Sequence, residues 1–226
     1  MLRGAEGWHA AKVRRLSVGE RADVTNGAGT VAECVVTAVG PGVVEFEVQA
    51  RHAAPPGQPR VVVAQAIPKG DAGELAVATM TEVGVDTMVA WEAERCVARW
   101  RGERAAKGLA RWQAAAREAA KQSRRAWIPE VTGPVVTSAV ADRVAAADLA
   151  ILLDPDAPDA LGSLALPDHG EIVVVVGPEG GVSPAETAIM TGAGAVPARL
   201  GPAVLRSSSA GAVAAALVLA HSGRWA

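Results

Sequence analysis

Ile172-Val-Val-Val-Val-Gly177-Pro-Glu-Gly-Gly-Val-Ser183-Pro-Ala-Glu186 runs from an unbroken apolar segment into a glycine-rich turn and then into the start of a helix. Residues Ile172–Val176 are all β-branched with no polar alternate, so this strand must be covered on both faces, as inner strands of parallel α/β sheets are. Ser183 stands at an N-cap position, Pro184 at the first helical position and Glu186 three after the cap, which makes a capping box. That pattern gives Ser183 and Glu186 a structural task rather than a catalytic one. Gly177, Gly180 and Gly181 leave the turn free of side chains, which suits close approach of a ligand at the carboxyl end of a sheet. The spacing matches neither G-x-G-x-x-G nor G-x-x-x-x-G-K-[ST], and no lysine follows, so dinucleotide and nucleoside-triphosphate sites are disfavoured.

Outward from this segment, strands and helices alternate. Strands are expected at Val61–Ala66, Thr87–Trp91 and Leu149–Leu153, a helix at Gly73–Val83 and a long basic helix at Lys107–Arg124. Downstream come a helix at Pro184–Thr191, a strand at Ala198–Leu200 and an Ala-rich helix at Ser209–Ala220. The alternation predicts an α/β fold with a largely parallel sheet and helices on both faces. Residues 1–50 have a different texture. Val31–Val39 and Val43–Val48 flank a Gly40-Pro41-Gly42 turn, and Val44, Phe46 and Val48 alternate with Glu45 and Glu47, which predicts a hairpin with one wet face in a small antiparallel barrel. Ala53-Ala-Pro55-Pro56-Gly57-Gln-Pro59 cannot continue a strand. It divides the chain into an N-terminal domain, residues 1–54, and a C-terminal domain, residues 60–226.

With 226 residues, half of them hydrophobic, the chain can bury a core in each domain. Its longest clean apolar run, Ile172–Val176, is far short of the about 20 residues that a bilayer span needs, so no membrane partner is expected. Met1–Trp8 has no apolar signal core and Cys34 and Cys96 stand far apart, which fits a cytoplasmic protein. His9, His52, His169 and His221 show no ligand spacing, so no metal is expected.

The charge distribution is lopsided. Between Arg95 and Arg125 ten basic residues face only Glu103 and Glu118, leaving twelve bases against twenty-two acids in the rest of the chain. A basic stripe on an otherwise acidic protein is the footprint of a nucleic-acid binder, although a solvated helix face reads the same way.

A second loop, Arg199-Leu-Gly-Pro-Ala-Val-Leu-Arg206-Ser-Ser-Ser-Ala210, again joins a short strand to a helix. By its residues alone, the serines cap the last helix and Arg206 faces solvent. In order and spacing, however, the two loops resemble those of the RsmE family of 16S rRNA (uracil-N3)-methyltransferases, in the knotted SPOUT superfamily. Its members carry G-P-E-G-G-[hydrophobic]-[ST] followed by L-G-x-x-[hydrophobic]-L-R-x-x-[ST]-A. The likeness extends through Ala66-Ile-Pro-Lys69-Gly70, Thr81-Glu-Val-Gly-Val-Asp86, Arg111-Trp112 and Glu118–Arg125, and so covers nearly the whole chain.

The resemblance implies a C-terminal SPOUT-type α/β domain with a deep trefoil knot and a PUA-like RNA-binding β-barrel at the N-terminus. Family chains usually begin further upstream with an extra strand, so the barrel here is expected to lack its first strand. The cofactor implied is S-adenosyl-L-methionine, lined by Val176, Gly177, Gly180, Leu200, Gly201, Val204, Leu205 and Ser207. The partners implied are 16S rRNA or the small ribosomal subunit, and a second copy of the chain packed through the knot. Two positions depart from the family, which often has arginine at Ala203 and glutamate at Ser208.

Methylation at N3 removes a proton and leaves negative charge over the uracil carbonyls, which a positioned cation stabilises. Arg206 is the candidate, with Ser207 and Ser208 orienting the base or a water; Arg206 gripping a phosphate is the alternative. N3 lies on the pairing edge, so a paired uracil must be unpaired or flipped first. Arg111, Arg117, Lys121, Arg124 and Arg125 are expected phosphate contacts, with Arg14 and Arg15 from the barrel. Trp100, Trp112 and Trp127 are read as core in preference to base-stacking platforms. A SPOUT ribose 2′-O-methyltransferase is disfavoured because Asn26 is the only asparagine, a Rossmann-type oxidoreductase because its fingerprint is missing. A non-catalytic ribosome-assembly factor is the reading that Ala203 and Ser208 leave room for.

Overall fold

The computed structural model describes residues 1–225, which form two compact units, Met1–Pro56 and the chain from Gly57 onward. In the first, α1 (Gly4–Trp8) passes into a π-helical turn, His9–Val13, followed by β1 (Arg21–Thr25), β2 (Thr30–Gly40) and β3 (Val43–Ala53). The strands form an antiparallel sheet in the order β1-β2-β3. Its core is small: Ala10, Val36 and Val44, with Leu2 and Phe46 packed against them. The opening helix departs from the expected all-β texture, and β3 runs past Val48 to Ala53. Beyond Phe46 the alternation no longer buries anything, since Val48 is 44% exposed.

The second unit is mixed α/β. In chain order it comprises β4 (Arg60–Ala66), α2 (Ala72–Val83), β5 (Thr87–Trp91), α3 (Glu103–Gln122), β6 (Glu130–Val135), α4 (Thr137–Ala146), β7 (Leu149–Leu153), β8 (Glu171–Val176), α5 (Pro184–Gly192), β9 (Val196–Ala198) and α6 (Ser207–His221). All strand pairs are parallel, in the order β6-β5-β4-β8-β7-β9. The strands meet the expectation set by their composition: Val61–Val63 and Ile172–Val175 are fully buried in the middle of the sheet. Prolines sit only in the outermost strands, Pro134 in β6 and Pro197 in β9, where a missing N–H breaks no inner ladder. Helix α2 packs against both α3 and α6, and α4 packs with α5.

Several boundaries differ from the sequence reading. The basic helix begins at Glu103, after Gly102 turns the chain with φ +54°, and stops before Arg124, whose φ is +56°. Glu103 thereby places an acid in the first turn, where the helix dipole favours it. The strand expected at Ala198–Leu200 ends at Ala198, freeing Leu200 for the loop. Strand β6 and helix α4 were not anticipated, because Thr132-Gly133-Pro134 masks the strand pattern and Val136 offers no capping side chain.

Among the described residues no helix is long and apolar enough to cross a membrane, and no group of three or more His, Cys, Asp or Glu side chains gathers as a metal site.

Candidate active site

The order β4-β8-β7 places strands from the two halves of the unit side by side, and at such reversals of strand order the loops at the carboxyl ends diverge and leave a crevice. A cleft of about 860 Å³ opens there, against the carboxyl ends of β7, β8 and β9.

One wall is the glycine turn after β8. Gly181 donates its N–H to the Pro178 carbonyl at 2.9 Å and takes φ +72°, a left-handed conformation that favours glycine. A Cβ on Gly177 would stand 2.7 Å from the Val182 side chain, so that position must also be bare. The turn ends in the expected capping box: Ser183 Oγ accepts the Glu186 N–H at 3.3 Å, and Glu186 accepts the Ser183 N–H at 3.2 Å. Glu186 reaches further than a cap requires. Only 4% exposed, it also accepts the Thr137 hydroxyl and the Glu94 N–H, each at 2.8 Å.

The opposite wall is the loop from Ala198 to Ser208. Val176, Gly177 and Gly180 of the first loop and Leu200, Gly201, Val204, Leu205 and Ser207 of the second all line this one cleft. A Cβ on Gly201 would meet nothing within 4 Å, so the backbone there borders open space that a ligand can approach closely. Val204 is 80% exposed and lies at the rim.

Arg206 and Ser208 also line the cleft, as do both departing positions, Ala203 and Ser208. Helix α6 starts at Ser207 with Arg206 as its N-cap, and no serine side chain caps it. Arg206 is exposed and makes no side-chain hydrogen bond or ion pair among the described residues. Ser207 requires a correction as a catalytic candidate. Its buried hydroxyl accepts from Gln65 at 3.0 Å and donates to the Gly177 carbonyl at 2.8 Å, so its proton is already committed to the protein.

Three features were missed at the sequence level. Leu152–Asp156, the end of β7 and the start of the loop after it, forms part of the cleft wall and brings in Asp154 and Asp156. Arg95 reaches the rim and donates to the Gly180 carbonyl at 3.0 Å. Gln65 sits behind the cleft, fully buried. A lone glutamine in Val-Val-Val-Ala-Gln-Ala was the available signal for the last. The ionisable side chains lining the cleft are Arg95, Arg206, Asp154, Asp156 and Glu179. With acids outnumbering bases and no lysine, the cleft suits a ligand carrying positive charge better than a polyphosphate.

The basic stripe is less free than its composition implies. Arg111 pairs with Asp71 and Glu74, each at 2.8 Å, and Lys121 with Glu118 at 2.8 Å. Arg125 is a correction to the expected phosphate contacts. Its side chain is 13% exposed and donates to the Thr81 and Val85 carbonyls at 2.8 and 2.7 Å, and burial pushes its pKa down. Arg117 and Arg124 are exposed, as are Arg14 and Arg15 in the first unit. Trp112 is buried and meets Trp100 edge-on, with ring centroids 5.1 Å apart.

Comparisons with known proteins agree with this geometry. The RNA methyltransferase domain family matches residues 56–219, and the RNA methyltransferase PUA domain family matches residues 2–49. A Mycobacterium bovis protein named ribosomal RNA small subunit methyltransferase E is 46% identical, over 98% of this chain and 86% of the relative. A Legionella pneumophila methyltransferase structure with bound SAM superposes with a TM-score of 0.85 at 28% identity, covering 95% of this chain and 88% of that one. A ribosomal RNA small subunit methyltransferase E from Neisseria gonorrhoeae, bound to S-adenosyl methionine, gives 0.83 at 26% identity, covering 94% and 87%. The two paired loops, the parallel sheet that carries them and these matches along nearly the whole length place the chain in the RNA methyltransferase family, among the ribosomal RNA small subunit methyltransferase E proteins.

Proposed function

We propose that this chain is an S-adenosylmethionine-dependent methyltransferase that modifies N3 of a uridine in the 16S rRNA of the small ribosomal subunit. The observation that carries the reading is the convergence of both glycine-bearing loops on one cleft at the carboxyl ends of β8 and β9. Its size falls within the range of small-molecule sites. The residues fit this cofactor. Bare backbone at Gly201 borders open space that admits a flat ring, Leu200 and Leu205 give it apolar surface, and the carboxylates and arginines suit a ligand bearing both a sulfonium and an amino-acid end. When bound, the cofactor supplies an electrophilic methyl group.

The chain's own residues then have distinct tasks. Arg206, exposed at the cleft, meets the negative charge that develops on the uracil carbonyls, a role supported by a guanidinium that is free among the described residues. Ser208 takes the orienting task, since Ser207 is engaged elsewhere. Arg117 and Arg124 serve as phosphate contacts, with Arg111 and Lys121 contributing less because acids already pair with them. Residues 1–54 act as a PUA-like RNA-binding barrel through Arg14 and Arg15, and residues 60–226 as the methyltransferase domain. The family likeness supports a trefoil knot around the cleft and a homodimer formed through it.

Two measurements test the reading together. Calorimetry with S-adenosylmethionine should show binding, and mass mapping of 16S rRNA from cells with and without the gene should show one methylated uridine that disappears with the gene. Binding without a lost methyl group would leave a non-catalytic RNA-binding factor, the reading that Ala203 and Ser208 on the cleft wall would then support.

A further inference from the structure

Gln65 is the one polar side chain in β4 beyond Arg60, and it is 0% exposed between valines and alanines that need no partner. Its Nε2 donates to Ser207 Oγ at 3.0 Å and to the Ala66 carbonyl at 3.0 Å, while its Oε1 is buried without a hydrogen-bond partner among the described residues. The orientation is dictated by Ser207. Because the hydroxyl proton of Ser207 goes to the Gly177 carbonyl, Oγ faces Gln65 as an acceptor, and a flipped amide would set one oxygen against another. The result is a chain of hydrogen bonds from the end of β4, through the first residue of α6, to the first residue of the glycine turn. A valine in place of Gln65 would avoid an unpartnered buried carbonyl, so a purely structural strand position has no reason to hold glutamine.

The helix is shaped to make this contact. A Cβ on Gly211 in α6 would fall 2.8 Å from Met80 Sδ and 3.1 Å from Gln65 Oε1, so glycine there lets α6 come close enough for Ser207 to reach the amide. Gly177 and Ser207 line the cleft, and Gln65 does not.

We propose that Gln65 is a positioning residue for the methyl-donor cleft, acting through Ser207 to hold the glycine turn and the start of α6 at a fixed separation. The proposal rests on the methyltransferase reading above. It assigns Gln65 an effect on cofactor affinity without contact to the cofactor, and no effect on the docking of RNA.

The test compares the full-length parent with Gln65→Met, which keeps the bulk and removes both donors, with Ser207→Ala and with the double variant. Binding of S-adenosylmethionine is measured by calorimetry, alongside KM for the RNA substrate and the thermal midpoint. Gln65→Met should weaken cofactor binding about tenfold with KM for RNA and the midpoint near the parent values. The double variant should bind no more weakly than the worse single, because both cut one chain of bonds. Unchanged cofactor affinity in Gln65→Met, or losses that simply add in the double variant, overturns the proposal and leaves the methyltransferase reading standing. A parent with no affinity for the cofactor sinks that reading and the proposal with it. Should Gln65→Met fail to fold, the comparison of Ser207→Ala with Ser207→Thr decides: affinity lost in the first and restored by the hydroxyl in the second supports the chain, and equal affinity in both refutes it.

Discussion

The carboxylate of Glu186 accepts the backbone N–H of Glu94 at 2.8 Å, tying the first turn of α5 to the loop that follows β5. The same group accepts Thr137 and Ser183, so one buried side chain joins the turn after β8, the loop after β5 and the start of α4. Glu186→Ala therefore leaves several donors unmet and should lower stability by about 2–4 kcal/mol, whereas Ser183→Ala removes only the cap, about 1 kcal/mol. Denaturant unfolding of the two variants checks this, and equal losses would reduce Glu186 to a simple cap.

Among the described residues Arg206 is the cation at the cleft with no partner of its own. If it meets charge that exists only as N3 loses its proton, Arg206→Ala should cut turnover by about 100-fold or more and change cofactor affinity by less than about threefold. Steady-state kinetics beside calorimetry separates the two. Equal losses in both would move Arg206 from the chemistry to binding.

Exposed Arg117 and Arg124 and the largely covered Arg125 belong to one run of sequence but should respond differently. Reversing Arg117 and Arg124 to Glu should weaken RNA binding and flatten its dependence on salt. Arg125→Ala should leave the salt slope alone and lower stability by about 2 kcal/mol, because Thr81 and Val85 lose a charged donor. A filter-binding titration across salt concentrations, with a melting curve for each variant, distinguishes them.

Asp86 sits 16% exposed between Arg224 and Arg125, accepts from Arg224 at 2.8 Å and also takes the Val61 N–H at 2.8 Å. Asp86→Ala leaves two guanidiniums without their counter-charge and one strand-end amide without its acceptor, and should destabilise by about 3 kcal/mol or more. Arg224→Ala should do less, since Asp86 keeps Arg125 nearby. A thermal midpoint for Arg224→Ala as low as for Asp86→Ala would contradict this arrangement.

Periodicity and turn chemistry made much of the second unit legible. A run such as Ile172–Val176 has no stable place except inside a sheet, and Ser183-Pro184-x-Glu186 has few readings other than a helix start. Harder to read were features that depend on partners distant in sequence. Gln65 becomes meaningful only when Ser207 arrives beside it, and Arg125 is indistinguishable in sequence from Arg124 until Thr81 and Val85 present their carbonyls. Asp154 and Asp156 were passed over because a β7 loop of Asp, Pro and Ala carries no motif; only strand order brings it to the cleft. The strand β6 was hidden by its own proline, tolerated because nothing pairs on its outer side.

Trp100 fits into a notch of α3 that exists because residue 108 is glycine, where a Cβ would come within 2.5 Å of the indole. From Trp100 back to Glu92 the loop is stitched internally: the Trp100 N–H binds Glu92, and Arg99 binds the Ala93 and Glu94 carbonyls. Arg95 in that loop grips Gly180. The loop from Glu92 to Trp100 thus runs from a notch in the basic helix to the rim of the cleft, and a side chain larger than hydrogen at residue 108 would displace the Trp100 indole without touching a charge.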